Sequence, residues 1–182
     1  MNSLSLSSLG ATAGLLAALA LAPTAATAAA PTDAQSCWVN VDTGESACFD
    51  ASFDPIAQIE ADTGTTVVAV PTGSMSVASA RSAAAVAADA ETYLLATGWE
   101  ETGQVGASVS YFTTNPAICD GYIHGFSTLH EWDRRLESFK AYNGCVGYLY
   151  DEIDWFGTEY GPVDSALDLG QFNNRARSLL LE

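Results

Sequence analysis

The chain has 182 residues, with 22 acidic against 6 basic side chains and a formal net charge of −16. So few cations exclude a nucleic-acid partner, because phosphate affinity is largely counterion release by clustered Lys and Arg, and they exclude a basic membrane-surface role as well. Hydrophobic residues make up 48%, but much of this is alanine, so a packed interior has to come from the Trp, Tyr, Phe, Val and Leu side chains.

Leu15 to Ala22 is an apolar run too short to span a bilayer, and small residues lead from it to Ala26-Thr27-Ala28. This is the pattern of a secretory signal peptide over residues 1–28, cleaved after Ala28. One departure stands out: no charged side chain precedes Asp33. The protein is therefore expected to be secreted, and a mature chain of this size buries roughly 70% of its unfolded surface without help from a metal.

Cys37, Cys48, Cys119 and Cys145 all lie beyond the cleavage point. An even count in an exported chain favours two disulfides over free or catalytic thiols, and no C-x2-C pair suggests zinc. Three connectivities are possible. Cys37 and Cys48 flank Val41-Asp42-Thr43-Gly44-Glu45, whose Asp-Thr-Gly suits a tight turn, so a hairpin there sets the two cysteines opposite each other within a residue. Local pairing then leaves Cys119 to Cys145.

Residues 29–75 read as an N-terminal β-hairpin region. Ile56 to Glu60 and Thr65 to Val70 are β-favouring runs on either side of Asp62-Thr63-Gly64, a second turn signal. Residues 76–92 are mostly Ala and Ser and fit either a weak helix or a linker. Cys37 to Val70 either add strands to the domain that follows or, the preferred reading, form a small lobe of their own.

From Tyr93 onward, short aromatic-rich strands alternate with Gly, Asn and Asp, which points to an all-β sandwich. This part also repeats itself. Trp99-Glu100-Glu101 with Gly106 returns as Tyr150-Asp151-Glu152 with Gly157, an offset of 51 residues. The stretch from Leu129 to Ser138 returns from Leu169 to Ser178, an offset of 40. The first copy thus holds 11 extra residues, assigned to the Thr113 to Tyr122 region around Cys119. Two such units bury one shared core.

Tyr150, Trp155 and Gly157 followed by Asn173-Asn174-Arg175-Ala176-Arg177-Ser178, and Trp99 and Gly106 followed by Asp133-Arg134-Arg135-Leu136-Glu137-Ser138, resemble the βγ-crystallin Greek-key motif. The chain is also similar to secreted bacterial βγ-crystallin-like metalloproteinase inhibitors. The resemblance implies a double Greek-key sandwich over residues 93–182, with Greek keys at 93–142 and 145–182, preceded by the disulfide-bonded hairpin region and the Ala-rich segment. It further implies two calcium ions held between paired clamp loops. The corresponding positions are Glu100 and Asp151 in the hairpins and Asp133, Asn173 and Asn174 in the clamps.

The match departs at the ligand positions. Glu137 and Arg177 stand where the motif has Ser or Thr, and Arg134 takes the second place of the first clamp, so calcium binding is expected to be weak or lost. A guanidinium repels the ion and takes its place by pairing with carboxylates. The expected pairs are Arg177 with Glu137, and Arg134 with a hairpin acid. The plainer alternative is that these arginines lie on an acidic surface, where an exposed pair is worth ~0–1 kcal/mol.

Nothing in the sequence assembles a nucleophile, base and orienting group, and no enzymatic activity is expected. His130-Glu131-Trp132-Asp133-Arg134 starts like a zinc-protease helix but has Arg at its fifth position, and His124 lacks a third ligand nearby. Glu100-Glu101 and Asp151-Glu152 are neighbours on strands and point to opposite faces. Two classes of function remain: a protein-binding module, most concretely an inhibitor presenting Asn115-Pro116-Ala117-Ile118-Cys119 to an extracellular protease, or a structural and stress module. A monomer is expected in either case.

Overall fold

In a computed structural model of the chain, the described residues are 34–73 and 91–182. Residues 1–28, expected to be a signal peptide, and all but the last two residues of the Ala-rich segment lie outside them. Those two, Glu91 and Thr92, already belong to a strand.

Strands β1 (Gln35–Asn40) and β2 (Ser46–Asp50) form the antiparallel hairpin read from the cysteine spacing, with Cys37 directly opposite Cys48. A disulfide joins the two across a Cα separation of 4.0 Å. The run from Ile56, expected to be a strand, is instead helix α1 (Pro55–Thr63). Its ends explain the change: the Asp54 side chain accepts from the Ala57 N–H, Pro55 opens the first turn, and Gly64, at φ 70°, returns its N–H to the Glu60 carbonyl. Strand β3 (Thr66–Val68) follows.

The remaining strands are β4 (Glu91–Glu101), β5 (Val105–Thr113), β6 (His124–Phe126), β7 (Ser138–Ala141), β8 (Gly147–Tyr150), β9 (Glu159–Val163), β10 (Ser165–Ala166) and β11 (Ser178–Leu181). One sheet runs β10-β7-β4-β5-β1-β2, with β3 also on β4, and the second runs β6-β11-β8-β9. Each unit therefore sends its third strand to the other sheet: β6 pairs with β11, and β10 with β7. This is the double Greek key that the repeat implies.

Of the two readings of the hairpin region, the strand pairing gives the one in which it adds strands to the domain that follows, rather than a separate lobe. β1 runs parallel to β5, in register from Cys37 opposite Val109 to Asn40 opposite Phe112, and β3 lies parallel to the start of β4. The hairpin thus covers an edge of β5 that would otherwise present unpaired backbone groups. Alternation along the strands sorts the side chains into two clusters. Cys37, Leu95, Val109 and Tyr111 join Leu136, Phe139, Leu149, Leu179 and Leu181 in the core of the sandwich. Trp38, Leu94 and Phe112 face the other way and bury Ile59 of α1 with Tyr142. The helix is also pinned by polar contacts, since the Trp38 indole N–H donates to Asp62 at 2.7 Å.

Candidate functional site

The clamps meet as a pseudo-symmetric pair. Their first residues, Asp133 and Asn173, are followed by left-handed Arg134 (φ 57°) and Asn174 (φ 56°). The Arg134 N–H donates to the Ala176 carbonyl at 2.7 Å, and the Asn174 N–H donates to the Leu136 carbonyl at 2.8 Å. Each clamp is also tied to its own hairpin. The Glu137 N–H donates to Trp99 and the Arg177 N–H to Tyr150, so these two aromatic residues occupy equivalent places. The Ser138 hydroxyl donates to the Glu101 carbonyl at 2.6 Å and the Ser178 hydroxyl to that of Glu152 at 2.7 Å, fixing each corner.

The charges follow the same symmetry. Arg135 pairs with Glu100 at 2.6 Å, lies 4.3 Å from the centre of the Trp132 ring and donates to the Glu131 carbonyl. Arg175 pairs with Asp151, lies 5.4 Å from the centre of the Phe172 ring and donates to the Gln171 carbonyl. The Asp151 carboxyl is held below its ordinary value chiefly by the Thr158 backbone N–H, with Arg175 adding to the effect.

Both expected ion pairs change partner. Arg177 binds Asp133 rather than Glu137, with its Nε 3.0 Å from one carboxylate oxygen, and this hydrogen bond raises the guanidinium pKa. Glu137 instead accepts from the Asn174 side-chain amide. The hairpin acid of the first unit is taken by Arg135, while the exposed Arg134 makes no ion pair with a described residue. By the repeat, Arg134 corresponds to Asn174 and Glu137 to Arg177, so the contact that Asn174 makes to Glu137 would set Arg134 against a like charge.

These contacts test the calcium set. Glu100, Asp133 and Asp151 each face a guanidinium, Asn174 is bonded to Glu137, and Asn173 donates to Asp168 at 2.9 Å. Among these residues the one buried side-chain atom without a partner is the Asn173 oxygen. Calcium takes six to eight oxygens and favours carboxylates free of competing cations, so these residues do not fit a calcium cage. Cys37, Cys48 and Glu131 do converge, but the two sulfurs are already bonded to each other.

The inserted segment lies between β5 and β6, where the repeat offsets put it. A Cys119–Cys145 disulfide ties it down across a Cα separation of 5.4 Å. At its start Asp42 accepts from the Thr113 and Thr114 hydroxyls and the Thr114 N–H. Burial would raise the Asp42 carboxyl, but these hydrogen bonds outweigh it and hold the pKa below 3.8. His124 bonds to the Ile118 carbonyl at 2.9 Å and has a structural role. Within Asn115–Cys119 only Ile118 is buried, at 4% exposure, while Pro116 is exposed and the other three are half-buried. The outward part comes next: Tyr122 and Ile123 are 50% and 66% exposed. That exposure was not legible from the spacing of the segment. Trp155 and Phe156 of the second hairpin are also exposed, and the Trp155 ring lies against Gly125 of β6.

Neither a family model nor a curated protein matches this chain. Among solved structures, a βγ-crystallin domain from Clostridium beijerinckii is similar over 48% of this chain and 95% of its own, with 20% identity and a TM-score of 0.38. The N-terminal domain of protein S is similar over 48% and 94%, with 19% identity and a TM-score of 0.39. A βγ-crystallin domain from Flavobacterium johnsoniae is similar over 48% and 93%, with 14% identity and a TM-score of 0.38. By the strand exchange and paired clamps set out above, the part of this chain from Glu91 to Glu182 has the βγ-crystallin double Greek-key fold.

Proposed function

We propose that this protein is a secreted, non-enzymatic binding module that uses its rigid Greek-key body to present the loop Asp120–Ile123 to another protein, with an extracellular metalloproteinase as the target. The observation that carries this reading is the anchoring of that loop: Asp42 holds the segment leading into it, the Cys119–Cys145 disulfide holds its base, and Tyr122 and Ile123 are left outward. A loop ordered before it binds loses less entropy on docking. Apolar residues so exposed on a strongly acidic surface are the kind that contact a partner. Inhibition of thermolysin-like enzymes tests the reading. It predicts inhibition at micromolar protein that weakens in a Tyr122→Ser/Ile123→Ser variant; no inhibition by the unaltered protein removes the protease target.

The arginine contacts favour a second reading, a calcium-independent structural module in which ion pairs do the stapling. On that reading, millimolar calcium leaves the melting temperature unchanged. A large upward shift at sub-millimolar calcium contradicts it.

A further inference from the structure

The hairpin built onto β5 carries the first sheet past the edge of the second, where β6 ends the order. Between them lies a cleft of about 410 Å³, lined by β1, β5, β6 and the residues from Ser127 to Trp132. That volume is within the usual range for small-molecule sites. Its inner wall is apolar and includes Val109 and Leu129, which are 1% and 4% exposed.

Two hydrogen-bond donors on that wall, one of them a fully buried atom, are unused. Tyr111 is 3% exposed, and its hydroxyl has no hydrogen-bond partner among the described residues. Burial pushes the phenol pKa well up, so it remains a neutral O–H. Trp132 is 2% exposed, and its indole N–H is likewise buried and unpartnered. The fold does not need that N–H, because the equivalent position of the second unit is Phe172. A buried donor left unpaired, as at Trp132, costs of order 1–3 kcal/mol, and the Tyr111 hydroxyl beside it is also free to donate, so an acceptor brought by a ligand has something to gain there.

The charge around the cleft narrows the ligand further. Glu131 is at its exposed rim, 3.7 Å from Cys48 Sγ, and the whole chain is strongly acidic. An anion is repelled, and a cation would lose its hydration against an apolar wall. We propose that this cleft binds an uncharged small molecule with an apolar body and a carbonyl or ether oxygen, which accepts from the Tyr111 hydroxyl. The site is independent of the Asp120–Ile123 loop, and it owes its existence to the hairpin added to the Greek keys.

Titration of the full mature protein with the neutral, carbonyl-bearing fluorophore prodan tests the proposal, with anionic anilinonaphthalene sulfonate as the comparison. Expected are saturable one-to-one prodan binding with blue-shifted emission, and binding of the anion weaker by about tenfold or more, the factor that 1.4 kcal/mol represents. Val39→Trp fills the cleft and abolishes binding. Tyr111→Phe keeps the ring and melting temperature but weakens binding about two- to tenfold, the usual net worth of a hydrogen bond. Phe156→Ser, on the exposed hairpin, leaves binding unchanged. Should Val39→Trp fail to fold, Tyr111→Phe decides alone. Absence of saturable binding overturns the proposal, as does loss in Phe156→Ser with Tyr111→Phe unaffected.

Discussion

In the first Greek key, Gly98 lies against Leu136, so closely that an added Cβ would stand 2.9 Å from a Leu136 methyl. In the second, the same two positions hold Leu149 and Ala176. A second pair behaves alike: Phe139 fills the space over Gly147, while the counterparts are Leu179 and Ala96. Volume is thus kept per pair rather than per residue, which is how a close-packed core tolerates divergent sequence. The polar clamps differ in the same manner. Arg177 and Asp133 make an ion pair, whereas Glu137, the counterpart of Arg177, bonds the Asn174 amide, and Asn173, the counterpart of Asp133, bonds Asp168. The fifth clamp position is bonded to the opposite clamp in both units, by a different chemistry and a different partner position in each.

The comparison breaks most visibly in the core. Leu136→Ala is expected to cost about 2–5 kcal/mol. Adding Gly98→Leu, which copies the second unit, should return much of it in urea unfolding. If the double variant is no more stable than the sum of the singles, the two sites are not equivalent.

The disulfides come next. Replacing Cys119 and Cys145 by Ala, which opens a separation of 26 residues, should cost about 3.5 kcal/mol on loop entropy, against about 2.8 kcal/mol for Cys37 and Cys48 with a separation of 11. Calorimetry of the two double variants reads the order.

Arg135→Gln and Arg175→Gln should each lower the melting temperature less than either disulfide loss and by similar amounts, since their surroundings repeat. Arg177→Gln should have the smallest effect of the three, because Gln can bond Asp133 as Asn174 bonds Glu137. All three losses should shrink at 1 M salt, where the screening length is about 3 Å.

The smallest effect is in pH. Asp42 and Asp151 have folded pKa values below 3.8, so their contribution is complete above that value and fades as pH falls through the depressed ones. Asp42→Asn should flatten the acid limb of the melting profile. Tyr150, raised to about 12 by desolvation and Glu159, acts in the opposite direction and loses its share as pH climbs from 10 to about 12.

The fold was legible where spacing alone carries it. Two offsets located the paired units and the insertion, and one turn between Cys37 and Cys48 set their register. The helix was missed because Ile56 to Glu60 reads as β-favouring by composition, while its real signals stand at the ends, in Asp54-Pro55 and Gly64. The ion pairs failed for another reason. Arg134, Arg135 and Arg177 were placed in the right loops, but which neighbour points at which acid is a matter of side-chain direction, and that is not written in residue order. The addition of β1 to β5 and the cleft beside it depend on a pairing across about 70 residues of chain, beyond any local pattern.

The trade of β6 and β10 between the sheets has a consequence for how such a protein is built. Because each unit lends its third strand to its neighbour, severing the connection near Gly144 leaves two pieces that are both incomplete, each missing a border it can recover only from the other. One unit by itself has no finished architecture, so the second completes a shape rather than enlarging one.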